Sequence, residues 1–321
     1  MMGLSKMIKT NAKRSLAGSW GAAIGVLVIT ILPSIVINVI EYAIRKVTGI
    51  AEYMDYAETA SVAFDDMANV ALVSTLISVL ITLLIFFIMT PLNQGSNRWF
   101  YRRTGGEQDS VSSVFYYFES AKQYFRTLGL YFQIGVRMFL WMLLPTIPMI
   151  AFIAFMGIAN VMMGTDTPSS AGAIFMILAI VWTIILVILS VIISLRYFLA
   201  PYILAEHPEQ KASKCIKDSV KMVKGHKAEL FVFMLSFIGW GLLCIFIIPL
   251  FYVIPYMNAS FAMYARYLIQ LGENGEDSDN RTREYIYKPD IDRYMEEQTG
   301  LSDEASEQNS EPIEQSNLPE L

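Results

Sequence analysis

The chain has 321 residues, 55% of them hydrophobic and 17% charged, where soluble domains average about 45–50% and about 25%. That apolar excess excludes an ordinary water-soluble enzyme. Charge is segregated as well: residues 1–271 hold 20 Lys and Arg against 14 Asp and Glu, while residues 272–321 hold 4 against 15. The formal net charge of −5 describes neither half and gives no ground for a nucleic-acid partner.

In chain order, the first element is an amphipathic helix. Leu4, Met7, Ile8, Ala12, Ser15 and Leu16 share one face at helical spacing, opposite Lys6, Lys9 and Lys13. A helix rising about 1.5 Å per residue then needs about 20 apolar residues to cross the roughly 30 Å hydrocarbon core. Residues 20–40 form the first such span, without Asp, Glu, Lys or Arg; Ala17, Gly21 and Gly25 make a small-residue ladder where it begins. Glu41 to Asn69 carries two basic residues and six acids and reads as an outer loop. The second span, 70–89, is again free of charge.

Arg98, Arg102, Arg103, Lys122 and Arg126 return the chain to the cytoplasmic side, where Val111, Val114, Phe115, Phe118, Lys122 and Phe125 form a second amphipathic face. The third span is placed at 138–157, with Arg137 reaching the interface; an earlier start near Thr127 would bury Arg137 and Gln133, at a cost of about 2.5–3.5 kcal/mol for an arginine at mid-membrane. A short outer linker, Asn160 to Gly172, leads to a fourth span at 173–195. Arg196 to Lys227 then holds seven basic residues. Within it Ala212, Cys215, Ile216, Val220 and Val223 form a third amphipathic face, against a stripe of Lys211, Lys214, Lys217, Lys221 and Lys224. The fifth and sixth spans are read at 230–248 and 251–271, with Pro255 in the first turn of the last.

The expected fold is therefore all-α: a polytopic membrane domain over residues 1–271, with six transmembrane helices in three hairpins and both ends cytoplasmic. Each hairpin is preceded by an amphipathic interfacial helix and contains one of Pro33, Pro145 and Pro249, spaced 112 and 104 residues apart, so the layout reads as three copies of one unit. Residues 272–321 form an acidic cytoplasmic tail. From Glu296 onward it holds eight acids and no Lys or Arg, and it reads as disordered.

Catalytic signatures are absent: no H-E-x-x-H, phosphate-binding loop, nucleophile elbow or dinucleotide fingerprint occurs. His207, His226, Cys215 and Cys244 are too few and too scattered for a zinc site, so no catalytic residue, metal or cofactor is expected. Polar residues within spans are the other candidates: Asn38, Arg137, Ser236, Ser260, Asn258 and Arg266, the last snorkelling to the cytoplasmic interface. The expected function is a non-catalytic membrane scaffold or regulator whose lysine stripe holds anionic lipid or a protein partner on the cytoplasmic face. The alternative is a transporter with a polar path between hairpins. Oligomeric state is not readable from the pattern.

Asp218 to Lys227, followed by Leu230-Phe231 and Ser236-Phe237-Ile238-Gly239-Trp240, is the most distinctive stretch. With Pro201-Tyr202, Pro255-Tyr256, Tyr264, Ala12-Lys13 and Gly18 to Gly21, it resembles the domain of unknown function 975 family of bacterial integral membrane proteins over roughly residues 4–271. The resemblance implies a multi-pass membrane protein and brings no activity or site residue. The layout is more loosely similar to membrane domains that accompany some glycerophosphodiester phosphodiesterases, which points to lipid or envelope biology.

Overall fold

The computed structural model describes residues 2–49, 64–163 and 169–274. Among them every regular element is helical. The helices are α1 (Met2–Ser15), α2 (Trp20–Val47), α3 (Phe64–Thr104), α4 (Ala121–Met163), α5 (Ser169–Ser194), α6 (Ala200–Glu206), α7 (Ala212–Met222), α8 (Lys227–Leu235), α9 (Ile238–Leu243) and α10 (Ile247–Asn274). Short 3₁₀ segments, Val111–Phe118 and Leu195–Tyr197, precede α4 and follow α5. Of the expected tail, 272–274 continue α10 and 275–321 lie outside the described residues.

Among the described residues four helices are long and apolar enough to cross a membrane, in α2, α3, α4 and α5, or five if α7 and the α8–α9 stretch, bent by 90°, count as one span. The six-span expectation thus meets four candidate helices for its first four members, a broken segment in place of the fifth, and a continuous helix across the sixth. Residues 230–248 are not one helix: α8 ends at Leu235, α9 runs only from Ile238 to Leu243, and α10 begins at Ile247. Gly239 and Gly241 weaken the helix within this apolar run. Pro249, rather than Pro255, occupies the first turn of α10, and Pro255 lies in its interior. α10 carries Tyr256, Asn258, Ser260, Tyr264 and Arg266 along its length and covers the expected sixth span, 251–271, as one continuous helix.

The helices that hold the second and third spans are longer than the spans themselves. α3 has 41 residues, about 60 Å at 1.5 Å per residue and twice a hydrocarbon core. α4 runs unbroken from Ala121 through Arg137, so the helix that holds the third span begins well before residue 138. The second amphipathic helix is also corrected. Residues 111–118 wind at three residues per turn, so Val114 and Tyr117 are buried whereas Phe115, Phe118 and Phe125 are exposed. Gly95 of α3 makes this segment possible: a Cβ there would overlap the Val114 carbonyl.

Packing is concentrated at one end. Ile8 and Ala12 of α1 and Leu16 just after it meet Trp99 and Phe100 of α3, Tyr202 to Ala205 of α6, Cys215 and Ile216 of α7, Phe233 of α8 and the Tyr256 to Leu271 stretch of α10 in one buried cluster. Beyond it, α2 to α5 extend as arms whose most apolar windows are at most 22% buried.

Candidate functional site

The packed end is built on the last four turns of α3. Thr90, Gln94, Asn97 and Tyr101 recur at three and four residues and lie on one face. The Gln94 side chain is fully buried. Its Nε2 donates to the Pro201 carbonyl at 2.7 Å, and its Oε1 accepts from the Tyr131 hydroxyl at 3.0 Å. Asn97 donates to that same hydroxyl at 3.2 Å, and the Tyr117 hydroxyl reaches the Leu204 carbonyl at 3.4 Å. The network ties α3, the first 3₁₀ segment, α4 and α6 together. Sequence reasoning missed it because the second span was ended at residue 89, and a hydropathy window scores these polar residues as exposed.

Cations surround this network. Arg98 lies 3.7 Å from the Tyr116 ring, Arg102 pairs with Glu107 and with Asp109 at 2.7 Å, and Arg103 donates to the Ser15 carbonyl at 3.2 Å. Lys122 and Arg126 share Glu209 at 3.2 and 3.5 Å. The Lys122 bond first, then the nearby Arg126 charge, holds the Glu209 carboxyl below its usual range. Arg266 reaches across to the end of α3. Its Nη2 donates to the Tyr101 carbonyl at 2.8 Å and its guanidinium stands 4.3 Å from the Tyr101 ring, in a place where a Cβ on Gly105 would collide with it. It caps the end of α3 from α10.

The lysine stripe sits on the outer surface of this end. Ala212, Cys215, Ile216 and Ser219 of α7 are buried and Val223 just beyond it is too, while Lys211, Lys214, Lys217, Lys221 and Lys224 are all exposed. The apolar face of α7 packs on protein rather than lying free to enter a bilayer, so α7 is fixed and its lysines point away from the core. No ion pair involves any of the five among the described residues.

The remaining polar candidates are not brought together. Asn38 donates to the Ser34 carbonyl at 2.7 Å, Arg137 to the Gln133 carbonyl at 3.1 Å, and Ser236 to the Phe233 carbonyl, each within its own helix or at its end. Ser260 bonds the Tyr256 carbonyl at 2.7 Å, and Asn258 is half-buried on α10. Arg45, read as part of the outer loop, is instead on α2. It pairs with Glu41 at 2.8 Å and reaches the Ser74 and Ser78 hydroxyls of α3 at 2.8 and 2.6 Å.

Glu206, His207 and Glu273, from the end of α6 and the last turn of α10, place their ligand atoms within 4.8 Å of one another and are a set able to hold a metal. The sequence separates them by 66 residues, so spacing alone could not group them. His226 lies 3.3 Å from Glu229 at the start of α8, and Cys215 and Cys244 are free thiols.

Residues 2–271 match the family model described as Protein of unknown function (DUF975). No curated protein and no solved structure matches the chain.

Proposed function

This chain belongs to the DUF975 family, whose function is unknown, and from that premise we propose that it is a non-catalytic scaffold of the cell membrane that gathers anionic lipid on its cytoplasmic face. In this reading the arms of α2 to α5 cross the bilayer, α8 to α10 complete a third hairpin-like unit, and both the packed end and the acidic tail face the cytoplasm. The basic residues of α1, α3 and α7 fall on that side, as the positive-inside rule requires.

The observation that carries the proposal is the fixed lysine stripe. An amphipathic helix whose apolar face is already buried in its own protein has no need of lipid for folding. Five exposed, unpaired lysines on such a helix raise local positive potential at low cost. Each basic group near an anionic surface contributes about 1 kcal/mol. A polar transport path gains no support, because Asn38, Arg137 and Ser236 each bond backbone carbonyls nearby in their own chain segment.

The test is lipid selectivity of the whole protein. In reconstituted bilayers, spin-labelled phosphatidylglycerol should associate more strongly than phosphatidylcholine, and changing the five stripe lysines to Gln should bring the two close together. Salt above about 0.15 M should have a similar, partial effect as the Debye length falls below about 8 Å. Equal association with both lipids by the parent protein would refute the proposal.

A further inference from the structure

Between α4 and α5, just short of the packed end, lies a groove of about 370 Å³. Its exposed walls are almost wholly apolar, formed chiefly by Trp141, Leu144, Leu189 and Ile192, and two cationic residues, Arg196 and Lys227, complete the lining. The walls open sideways, where Leu144 is 69% exposed and Ile192 45%, so access is from the membrane rather than from water alone.

Arg196 belongs to the 3₁₀ segment that ends α5, its Nε is buried without a hydrogen-bond partner, and its guanidinium stands 5.5 Å from the Trp141 ring. Lys227 is the first residue of α8, whose N-terminus adds positive potential of its own. Among the described residues neither side chain is in an ion pair; Arg102, Arg126 and Lys122 at the same end have carboxylate partners, while Arg98, Arg103 and Arg266 instead meet an aromatic ring or a backbone carbonyl. A half-buried, unpaired guanidinium is costly unless an anion completes it.

We infer that this groove seats one anionic glycerophospholipid, its acyl chain along Trp141, Leu144, Leu189 and Ile192 and its phosphate between Arg196 and Lys227. Charge complementarity selects the headgroup, and the lateral opening admits a chain. The inference deepens the scaffold reading, on which it rests for placing this end at the membrane surface. It turns a diffuse attraction at the lysine stripe into one stoichiometric site.

The two are separated by what survives purification. Full-length protein in mild detergent should retain one phosphatidylglycerol by native mass spectrometry and should rebind it after delipidation, in preference to phosphatidylcholine. Phosphatidylglycerol brominated along its chain should quench a part of the tryptophan emission that W141F removes. The double variant R196Q/K227Q should weaken rebinding roughly thirtyfold, about fivefold per charge, and R196K/K227R should restore it, which distinguishes lost charge from lost fold. Inorganic phosphate alone should not displace the lipid.

Unaltered rebinding by R196Q/K227Q, equal affinity for phosphatidylcholine, or displacement by inorganic phosphate would each overturn the groove assignment while leaving stripe selectivity to stand on its own test. Conversely, a variant with all five stripe lysines changed to Gln should keep the retained lipid. Its loss there would show that the stripe, and not the groove, holds the headgroup.

Discussion

Phe233 and Leu80 are both large apolar side chains on helices, yet Phe233 is fully buried and Leu80 is 66% exposed. Phe233 lies at the packed end, its ring 4.6 Å from that of Tyr264 and 5.3 Å from that of Phe237. Leu80 sits on an arm of α3 that meets little protein. The same chain thus holds a protein-like core at one end and helices that need an apolar solvent at the other. A hydropathy profile responds to the second kind of region. The first is held by aromatic packing, buried amides and paired cations, which average to modest hydropathy.

The sharpest way to break this comparison is to locate the two regions relative to the membrane. A reporter active only outside the cytoplasm should give signal when fused after Ala60 or Thr165, and none when fused after Gly105, Gln210 or Gly272. Signal from the second set would put the packed end on the wrong side and remove the basis of the scaffold reading.

Next in size is the energetic contrast. Phe233→Ala should lower stability in detergent by about 3–5 kcal/mol, the range for truncating a buried aromatic ring. Leu80→Ala should stay within about 0.5 kcal/mol, as substitutions away from a packed core do. Thermal midpoints measured side by side in one detergent check both. Equal losses would mean that the arms also pack against something, and a second copy of the chain would then be the first thing to seek.

That contrast also explains what could be read from the sequence. The apolar runs that seed α2 to α5 were legible, since charge-free stretches of span length have few other uses. The face of α1 was legible from its 3.6-residue period, and so was that of α7, where Ala212, Cys215, Ile216 and Val223 are buried as expected. The continuation of α3 past residue 89 was not legible, because Gln94 and Arg98 are buried, and Asn97 half-buried, against residues distant in sequence. Nor was the break after Leu235, in a run uniformly apolar enough to pass for a span. Arg196 and Lys227 were visible only as loop cations, since nothing in their spacing reveals that one groove receives both.

A smaller effect probes the network that binds α3 into the packed end. Gln94→Leu keeps the volume but leaves the Pro201 carbonyl without its 2.7 Å donor and the Tyr131 hydroxyl without its 3.0 Å acceptor. Each buried group left unsatisfied costs about 1–3 kcal/mol. The loss should grow if Tyr131 is kept and shrink in the double variant with Tyr131→Phe, because that change removes one of the orphans. A double-mutant cycle on thermal stability measures the difference, and simple additivity would show that the two side chains do not act as one network.

The smallest effect concerns Lys9, which joins α1 to the broken segment. Its ammonium donates to the Ser236 carbonyl at 3.2 Å and lies 4.1 Å from the Phe237 ring, where the chain turns between α8 and α9. Partial burial lowers its pKa from the usual 10.5. Between that lowered value and 10.5, the unfolded chain therefore binds more protons at this site than the folded one, so its contribution to stability should rise with pH across this window. Below the window both states are protonated and the contribution is constant. Comparing parent protein with K9Q in detergent isolates the term: the gap between their thermal midpoints should be flat at neutral pH and widen in the parent's favour as pH approaches 10.5. A narrowing gap would mean that attraction between the ammonium and the Phe237 ring outweighs desolvation. Lys9 would then hold the turn by its charge rather than by its hydrogen bond.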